Sequence, residues 1–193
     1  MKKFKIILMN TLFLTSLFSF DQEESFQIEM FLGQGTGDQS GATIHGHAGM
    51  TFSILSPFDE DNALLFSYGM TTSNVSQSSL TSRSINDNFI ELQYVREFSD
   101  HRFGLGVSYH GQVDWLDENT TVDPTTQFSE SIAYVASYTY MIRDEKASFW
   151  HPFLVPFFLS FIGFRYEYLN FTETSASTVY DASSLSLTMG WVF

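Results

Sequence analysis

The feature that most constrains the fold is a period-two alternation of apolar and polar residues, which recurs from Ser25 to the end of the chain. It comes in segments of about ten residues, separated by polar stretches that contain glycine or aspartate. Successive side chains of a β-strand point to opposite faces, so each segment predicts a strand with one apolar face. The predicted strands run near Ser25–Gly33, Ala42–Leu55, Ala63–Thr72, Asn88–Glu97, Arg102–Val113, Ser129–Ile142, Phe161–Phe171 and Ser184–Phe193. The sequence therefore predicts an all-β chain of about eight antiparallel strands.

The polar face of these strands distinguishes a membrane barrel from a soluble one. About a quarter to a third of a soluble protein's surface is normally charged, whereas the polar faces of the sixth and eighth predicted strands carry only Ser, Thr, Ala, Gly and Val. Such small groups suit the narrow interior of an eight-stranded barrel. Tyrosine and tryptophan fall toward the strand ends, as in the aromatic girdles of membrane barrels. We therefore predict a transmembrane antiparallel up-and-down β-barrel, with a soluble periplasmic barrel as the alternative.

The connections between the predicted strands alternate between short and long, as they do when turns lie on the periplasmic side and loops outside. The short connections lie near Ser56–Asn62, Phe98–His101 and Arg143–Ala147, and the longer ones near Gln34–Gly41, Ser73–Asp87, Asp114–Phe128 and Thr172–Tyr180. Pro152 and Pro156 interrupt the aromatic run from Phe149 to Phe161. Because proline is confined to strand starts, edges and bulges, we assign no strand to that run.

The N-terminus has the layout of a secretory signal peptide. Lys2, Lys3 and Lys5 precede an apolar run from Ile6 to Phe20 that is too short to span a bilayer. We predict that residues 1–20 are a cleaved signal peptide and that residues 21–193 form an outer-membrane β-barrel domain. An uncleaved interfacial helix is the alternative.

Composition excludes several function classes. The chain has 22 acidic and nine basic residues, for a formal net charge of −13, so nucleic acid is not an expected partner. It has no cysteine, which excludes a disulfide framework, a thiolate metal site, a cysteine nucleophile and a lipid-modified cysteine. No helix with a long apolar stripe is predicted after residue 20, so we expect membrane residence to come from the strands themselves.

The last strand ends on an aromatic residue with apolar residues at every second position before it. These residues are Leu185, Leu187, Met189, Trp191 and Phe193. This pattern resembles the C-terminal signature of outer-membrane barrels, and the chain from Ser25 onward resembles the small barrels typified by OmpX and the OmpA transmembrane domain. The resemblance implies recognition by the barrel assembly machinery, insertion as a monomer among outer-membrane lipid and lipopolysaccharide, and no cofactor.

The alternation places a small set of ionisable side chains in the barrel interior, and most of them lie in the half nearer the extracellular loops. They are Glu29, His45, His47, Glu91, His110, Arg165 and Glu167. Charges at this depth must be paired or neutralised. We interpret them as an internal network in which Arg165 pairs with Glu91 or Glu29 and the histidines contact hydroxyl groups.

Three functional hypotheses remain open. The leading one is a non-enzymatic barrel with a surface-interaction or structural role, whose extracellular loops contact an unidentified ligand. The second is a lipid A-modifying hydrolase, in which His110 would act as general base on Ser108. Barrel deacylases of lipid A place the histidine two residues before the serine, and the order here is reversed. The third is a narrow porin-like channel.

Two groups of residues have metal-ligand chemistry, but neither has specific spacing. His45, His47 and His110 with a carboxylate have feasible ligand spacing, but such spacing is common by chance. The acidic residues of the fifth-to-sixth connection suit weak calcium binding or bridging to lipopolysaccharide through divalent ions; they are Asp114, Asp117, Glu118 and Asp123. We therefore assign no catalytic residue and no metal site from the sequence.

Overall fold

The computed structural model describes residues 25–36, 43–78, 81–111, 113–117, 127–142, 160–172, 174 and 179–193. The strands are β1 (Ser25–Gly35), β2 (Thr43–Pro57), β3 (Asn62–Ser78), β4 (Thr81–Phe98), β5 (His101–His110), β6 (Val113–Asp117), β7 (Gln127–Phe128), β8 (Ser131–Met141), β9 (Phe161–Tyr168), β10 (Asn170–Thr172), β11 (Val179–Asp181) and β12 (Ser184–Val192). The predicted leader, the predicted connection 143–147, the run 149–159 and the side chain of His45 lie outside the described residues. No helix long and apolar enough to cross a membrane occurs in the described ranges.

Eight long antiparallel strands close into one barrel. Each of β1, β2, β3, β4, β5, β8, β9 and β12 pairs with the next in this order, and β12 pairs with β1. The short strands β6, β7, β10 and β11 extend this wall or form a separate small ladder at one end. The predicted all-β barrel of eight antiparallel strands is confirmed. Closure leaves the long strands without a free edge, as a sheet surrounded by hydrocarbon requires.

The closing seam joins the two ends of the described chain. It runs from the pair Gln27–Val192 to the pair Gly35–Ser184. Phe193 extends it, because its N–H donates to the carbonyl of Phe26 at 2.8 Å and its carbonyl accepts from the Phe26 N–H at 3.2 Å. We call the end of the barrel where Phe26 and Phe193 pair the terminal end, and the opposite end the loop end. The C-terminal aromatic residue therefore takes part in closing the barrel.

The outer surface of the barrel is a continuous apolar belt. Leu32 and Leu105 are each 67% exposed, and Phe164 is 54% exposed. Along β9 the burial alternates at every residue, with Ile162, Phe164, Tyr166 and Tyr168 outside and Phe161, Gly163, Arg165 and Glu167 inside. An apolar patch of this extent is unfavourable in water and is the surface that a membrane barrel presents to lipid.

The connection predicted between Ser73 and Asp87 is wrong, because nearly all of it is strand. β3 continues to Ser78 and β4 begins at Thr81, and the two remain paired as far as Ser78 and Thr81. The alternation of apolar and polar residues stops at Thr72 because the hairpin rises beyond the apolar belt, where an outward side chain need not be apolar. Ladder pairing therefore continues after the sequence signal has ended.

Two short turns at the terminal end agree with the predicted short connections. Ser99 and Asp100 join β4 to β5, and Ser99 adopts a φ of 55°. The turn between β2 and β3 is organised by Asp59, which accepts from the Asn62 side-chain amide at 2.7 Å. This hydrogen bond, with one from the backbone, lowers the pKa of Asp59 below its usual value.

Three inward phenylalanine rings fill the barrel interior by packing on glycine. Phe31 lies opposite Gly49, Phe89 opposite Gly69 and Phe161 opposite Gly190 in the ladder register. At each of these glycines, a Cβ atom would overlap the ring of the opposite phenylalanine. Direct cross-strand pairs are the closest side-chain neighbours in a sheet, so a large ring needs a residue without a side chain beside it. The bulk of the interior is therefore set pair by pair.

Candidate functional site

The centre of the interior is an ion-paired arginine on β9. Arg165 is 2% exposed and forks onto Glu91 of β4, with Nη1 donating to Oε1 at 2.9 Å and Nη2 lying 2.6 Å from Oε2. Its Nη2 atom also lies 3.4 Å from Oε1 of Glu167. The guanidinium sits between the rings of Phe31 and Phe89, at 5.7 and 5.3 Å from their centroids. This geometry combines a bidentate pair with two cation–π contacts, so it fixes the side chain in one position.

A histidine carries the network from Arg165 toward the loop end. His110 is fully buried on β5, and its Nδ1 atom hydrogen-bonds Oδ2 of Asp87 on β4. On the other side of the ring, Nε2 lies 3.0 Å from Oε1 of Glu167 and 2.9 Å from Oγ of Ser108. Each ring nitrogen therefore faces a carboxyl oxygen. The ring links three strands of the barrel, β4, β5 and β9.

His47 lies on β2 beside this cluster and bonds to hydroxyl groups. Its Nδ1 atom lies 2.9 Å from Oγ of Ser73 and 3.3 Å from Oγ1 of Thr71. Its ring stacks on Phe31 at 5.3 Å between centroids, with 26° between the planes. Phe31 therefore packs on both His47 and the Arg165 guanidinium, and connects the histidine to the ion pairs through apolar contact.

A second charged layer lies toward the terminal end and was missed by the sequence analysis. Arg102, at the start of β5, donates through Nε to Oε1 of Glu97 at 2.9 Å and through Nη1 to Oε1 of Gln27 at 3.0 Å. Between the two layers is a cavity of about 20 Å³ lined by Gln27, Glu29, Glu91 and Arg102, among others. That volume holds about one water molecule. Arg102 is the first residue of the strand predicted from the sequence, and it has the same inward phase as Ser108 and His110. Extending the alternation to that first residue identifies Arg102 as an inward residue.

Apolar clusters occupy the interior at both ends of these layers. At the loop end, Ile85, Phe128, Ala133, Leu169 and Phe171 form one buried cluster. Phe171 contacts the His110 ring edge-on at 6.0 Å, so this cluster covers the ion network directly. At the terminal end, Leu55, Ala63 and Val95 form the other cluster, with Leu65 packed against it. Along the barrel axis, the described interior therefore consists of an apolar layer at the loop end, ionic layers in the middle and an apolar layer at the terminal end.

The sequence analysis identified most members of the main cluster. The structure brings together Glu91, His110, Arg165 and Glu167, and it places His47 alongside them. Glu29 lines the small cavity, with no described ion pair to Arg165, so of the two partners considered for that arginine the structure selects Glu91. Asp87 was missed because it fell in a predicted loop.

The outward residues of the predicted assembly signal all lie on the lipid-facing side of β12 or just after it. Leu185 and Leu187 are 49% and 47% exposed, and Phe193 is 64% exposed. Met189 and Trp191 are half-buried on the same face. The structure thus places the whole signature on one strip next to the closing seam.

The cluster contains the residue types of a serine hydrolase. Ser108, His110 and Asp87 lie in hydrogen-bonding sequence. The Ser108 hydroxyl donates to Oε1 of Glu167 at 2.9 Å, and its oxygen also lies 2.9 Å from Nε2 of His110. Ser108 is 1% exposed and His110 is 0% exposed. No group of three or more histidine or acidic side chains within the described ranges has the geometry to hold a metal ion.

The closed eight-stranded barrel, its apolar belt and its filled interior define the class: the chain has the fold of the small eight-stranded outer-membrane β-barrels. No protein-family model and no curated protein sequence matches it. Among solved structures, it is similar to Ail, the attachment invasion locus protein of Yersinia pestis, with a TM-score of 0.52 and 13% identity over 88% of this chain and 97% of that one.

Two further structures are similar. One is Ail of Yersinia pestis in complex with the heparin analogue sucrose octasulfate, with a TM-score of 0.53 and 13% identity over 89% of this chain and 100% of that one. The other is the outer membrane protein OprG from Pseudomonas aeruginosa, with a TM-score of 0.47 and 13% identity over 90% of this chain and 98% of that one. At 13% identity, the likeness to the two Ail structures establishes the fold alone.

Proposed function

We propose that this protein is a non-enzymatic barrel of the outer membrane that makes contacts at the cell surface through its loop end. It is exported by the cleaved signal peptide of residues 1–20, assembled by the barrel assembly machinery and held in the membrane as a monomer. Outer-membrane lipid and lipopolysaccharide surround it. Its working surface is the part of the wall that rises beyond the apolar belt.

The observation that carries the proposal is the packing of the barrel interior. Arg165, Glu91, Glu167 and His110 are each at most 5% exposed, and apolar clusters lie on both sides of them. A channel needs a continuous polar path, and a hydrolase needs a route for its substrate. Because the interior favours neither, the activity is better assigned to the outside of the loop end.

The barrel wall at the loop end is asymmetric and offers a surface for contact. β3 and β4 stay paired beyond the level of His47, and the added length from Ser73 to Ser78 is about 17 Å at the usual rise per residue. β2 pairs with the β3 side of this extension up to Thr43, and β6 pairs with its β4 side. A paired sheet of four strands is a firmer platform than an isolated loop.

Charge favours a particular kind of partner. With a net charge of −13 the chain repels free polyanions, so the sulfated sugar analogue bound in the Ail structure is a poor guide to a ligand here. Carboxylates suit contacts bridged by divalent cations. We therefore favour lipopolysaccharide phosphate or another anionic surface, contacted through calcium or magnesium.

The test compares the full protein with a shortened hairpin in which residues 75–83 are replaced by an Asn-Gly turn, so that Asn74 and Ser84 stay paired. Each is expressed in a Gram-negative host, and attachment is measured to immobilised lipopolysaccharide with and without calcium, and to cultured epithelial cells. We expect the full protein to raise attachment, with the increase to lipopolysaccharide dependent on calcium, and the shortened protein to lose the increase while its gel migration still shifts on boiling. Equal attachment by cells with and without the full protein would contradict the proposal.

A lipid A-modifying hydrolase is the second candidate, because Ser108, His110 and Asp87 are adjacent. Catalysis would require the loop-end cluster around Phe128 and Phe171 to open and the Ser108 hydroxyl to turn from Glu167 toward His110. The comparison is mass spectrometry of lipid A from cells expressing the parent protein or Ser108→Ala. A modified lipid A with the parent that disappears with the variant would favour this candidate over the surface-contact role.

A further inference from the structure

Four methionines form a continuous row across adjacent strands on the outside of the barrel. In the ladder register, Met189 of β12 is paired with Met30 of β1, Met30 with Met50 of β2, and Met50 with Met70 of β3. The whole chain has seven methionines, so more than half of them meet in this row. The row takes no part in the interior network or in the wall at the loop end.

The side chains of this row lie on the outer face. Met30 is 45% exposed and Met70 is 40% exposed, and Met50 and Met189 are half-buried. The next residue in register beyond Met70 is Asn88 on β4, which is exposed. The row therefore runs from apolar surroundings on β12 to a polar position on β4.

We propose that Met30, Met50 and Met70 form a binding site for a soft monovalent metal ion, Cu(I) or its close analogue Ag(I). Thioether sulfur is a soft ligand that selects Cu(I) over the harder ions preferred by oxygen. Three thioethers on three consecutive strands provide a ligand set of one kind at one level of the sheet. The site is independent of the surface role proposed above.

The spacing of a β-sheet suits this coordination. Side chains paired directly across a ladder have Cβ atoms about 5 Å apart. A metal–sulfur bond of about 2.3 Å, the length of a zinc–thiolate bond, puts two sulfurs that share an ion about 4 Å apart. Directly paired methionines need to lean together only slightly, whereas Met30 and Met70 are two strand spacings apart, about 10 Å, and must both lean toward Met50. Methionine is unbranched and has three rotatable bonds, so Met30 and Met70 can both turn toward Met50.

The position of the row also reduces the cost of holding a charge in a membrane. A cation at the centre of the hydrocarbon is unfavourable, but that cost falls toward the interface. Met70 is beside Asn88, and the next outward pair above it is Thr72 and Asn86, whose side chains hydrogen-bond at 2.8 Å and are exposed. The Met70 end of the row thus lies beside polar groups that can admit an ion.

The experiment follows the methionine methyl groups directly. The barrel is folded in detergent with ¹³C-methyl methionine and titrated with silver nitrate in chloride-free buffer. We expect the methyl signals of Met30, Met50 and Met70 to shift together and to saturate at one ion per protein, while the signal of Met141, on β8, does not shift. The methyl shifts do not depend on attachment of cells to a surface, so this experiment tests the metal site independently of the proposed surface function.

Leucine variants provide matched controls, because a methionine-to-leucine change conserves volume and keeps the face apolar. We expect Met50→Leu to weaken silver binding at least tenfold, Met189→Leu to change it less than threefold, and Met141→Leu to leave it unchanged. An absence of methyl shifts, or equal shifts at Met141 and at the row, would overturn the proposal and leave the row as a lipid-contacting surface alone.

Discussion

Removal of the Arg165 guanidinium tests the view that the interior is held by paired charge. Arg165→Met keeps an unbranched side chain between Phe31 and Phe89 but leaves Glu91 and Glu167 without their shared cation. Breaking a buried ion pair by deleting one partner typically costs about 3–5 kcal/mol. We place this variant in that range because Glu91 and Glu167 are 5% and 2% exposed, and the cavity beside Glu91 holds only about one water molecule, too little to hydrate a carboxylate fully.

The double variant Arg165→Met with Glu91→Met distinguishes loss of pairing from loss of packing. It removes both ions of the fork, and Glu167 keeps its contact with His110. Replacement of both partners by apolar groups is often neutral or stabilising, so we expect the double variant to regain at least about 2 kcal/mol relative to Arg165→Met. Urea unfolding of the barrel in lipid vesicles, followed by tryptophan fluorescence, measures both free energies. A double variant as unstable as the single one would refute the ion-pair argument.

Three further predictions follow from the packing, the seam and the buried serine. Gly69→Ala should lower the free energy of unfolding by about 1–3 kcal/mol because its methyl group would overlap the Phe89 ring; Gly111→Ala, with open space around it, should change it little, and adding Phe89→Leu to Gly69→Ala should restore part of the loss in urea unfolding. Deletion of Phe193 removes both hydrogen bonds to Phe26 and should reduce the fraction of membrane-recovered protein that is folded, measured as the fraction whose gel migration shifts on boiling. An unchanged folded fraction would show that barrel closure does not depend on Phe193. Ser108→Ala should leave lipid A unchanged by mass spectrometry and leave the barrel folded, because the serine hydroxyl serves only as one link in the network.

The eight strands could be predicted because lipid imposes a strict pattern on them. Every outward residue within the belt must be apolar, so the phase of the alternation also tells which residues point inward. The same reasoning fails for β3 above Thr72 and for β4 before Asn88, since neither face there contacts hydrocarbon. Asp87 was lost with that segment, although it shares the inward phase of Glu91.

The partners within the interior could not be predicted in the same way. Alternation assigns a residue to a face but does not give its height relative to residues on distant strands, which depends on the stagger of the closed barrel. Arg165 on β9 was therefore compatible with either Glu91 or Glu29 until the register was known. The inward phenylalanines were overlooked for a related reason. Each one packs on a glycine that lies directly opposite on a neighbouring strand, and that pairing is known only once the register is known.

The layered interior also constrains how the barrel can be made. Glu91 lies in the fourth long strand and Arg165 in the seventh, 74 positions apart in sequence. A half-inserted sheet would present an uncompensated carboxylate to lipid until the last hairpin arrived. Partly inserted forms are thus higher in free energy than the closed barrel, so insertion and closure should proceed as one concerted event. The carboxylate of the charge pair comes from the first half of the polypeptide, and the cation that neutralises it comes from the final third.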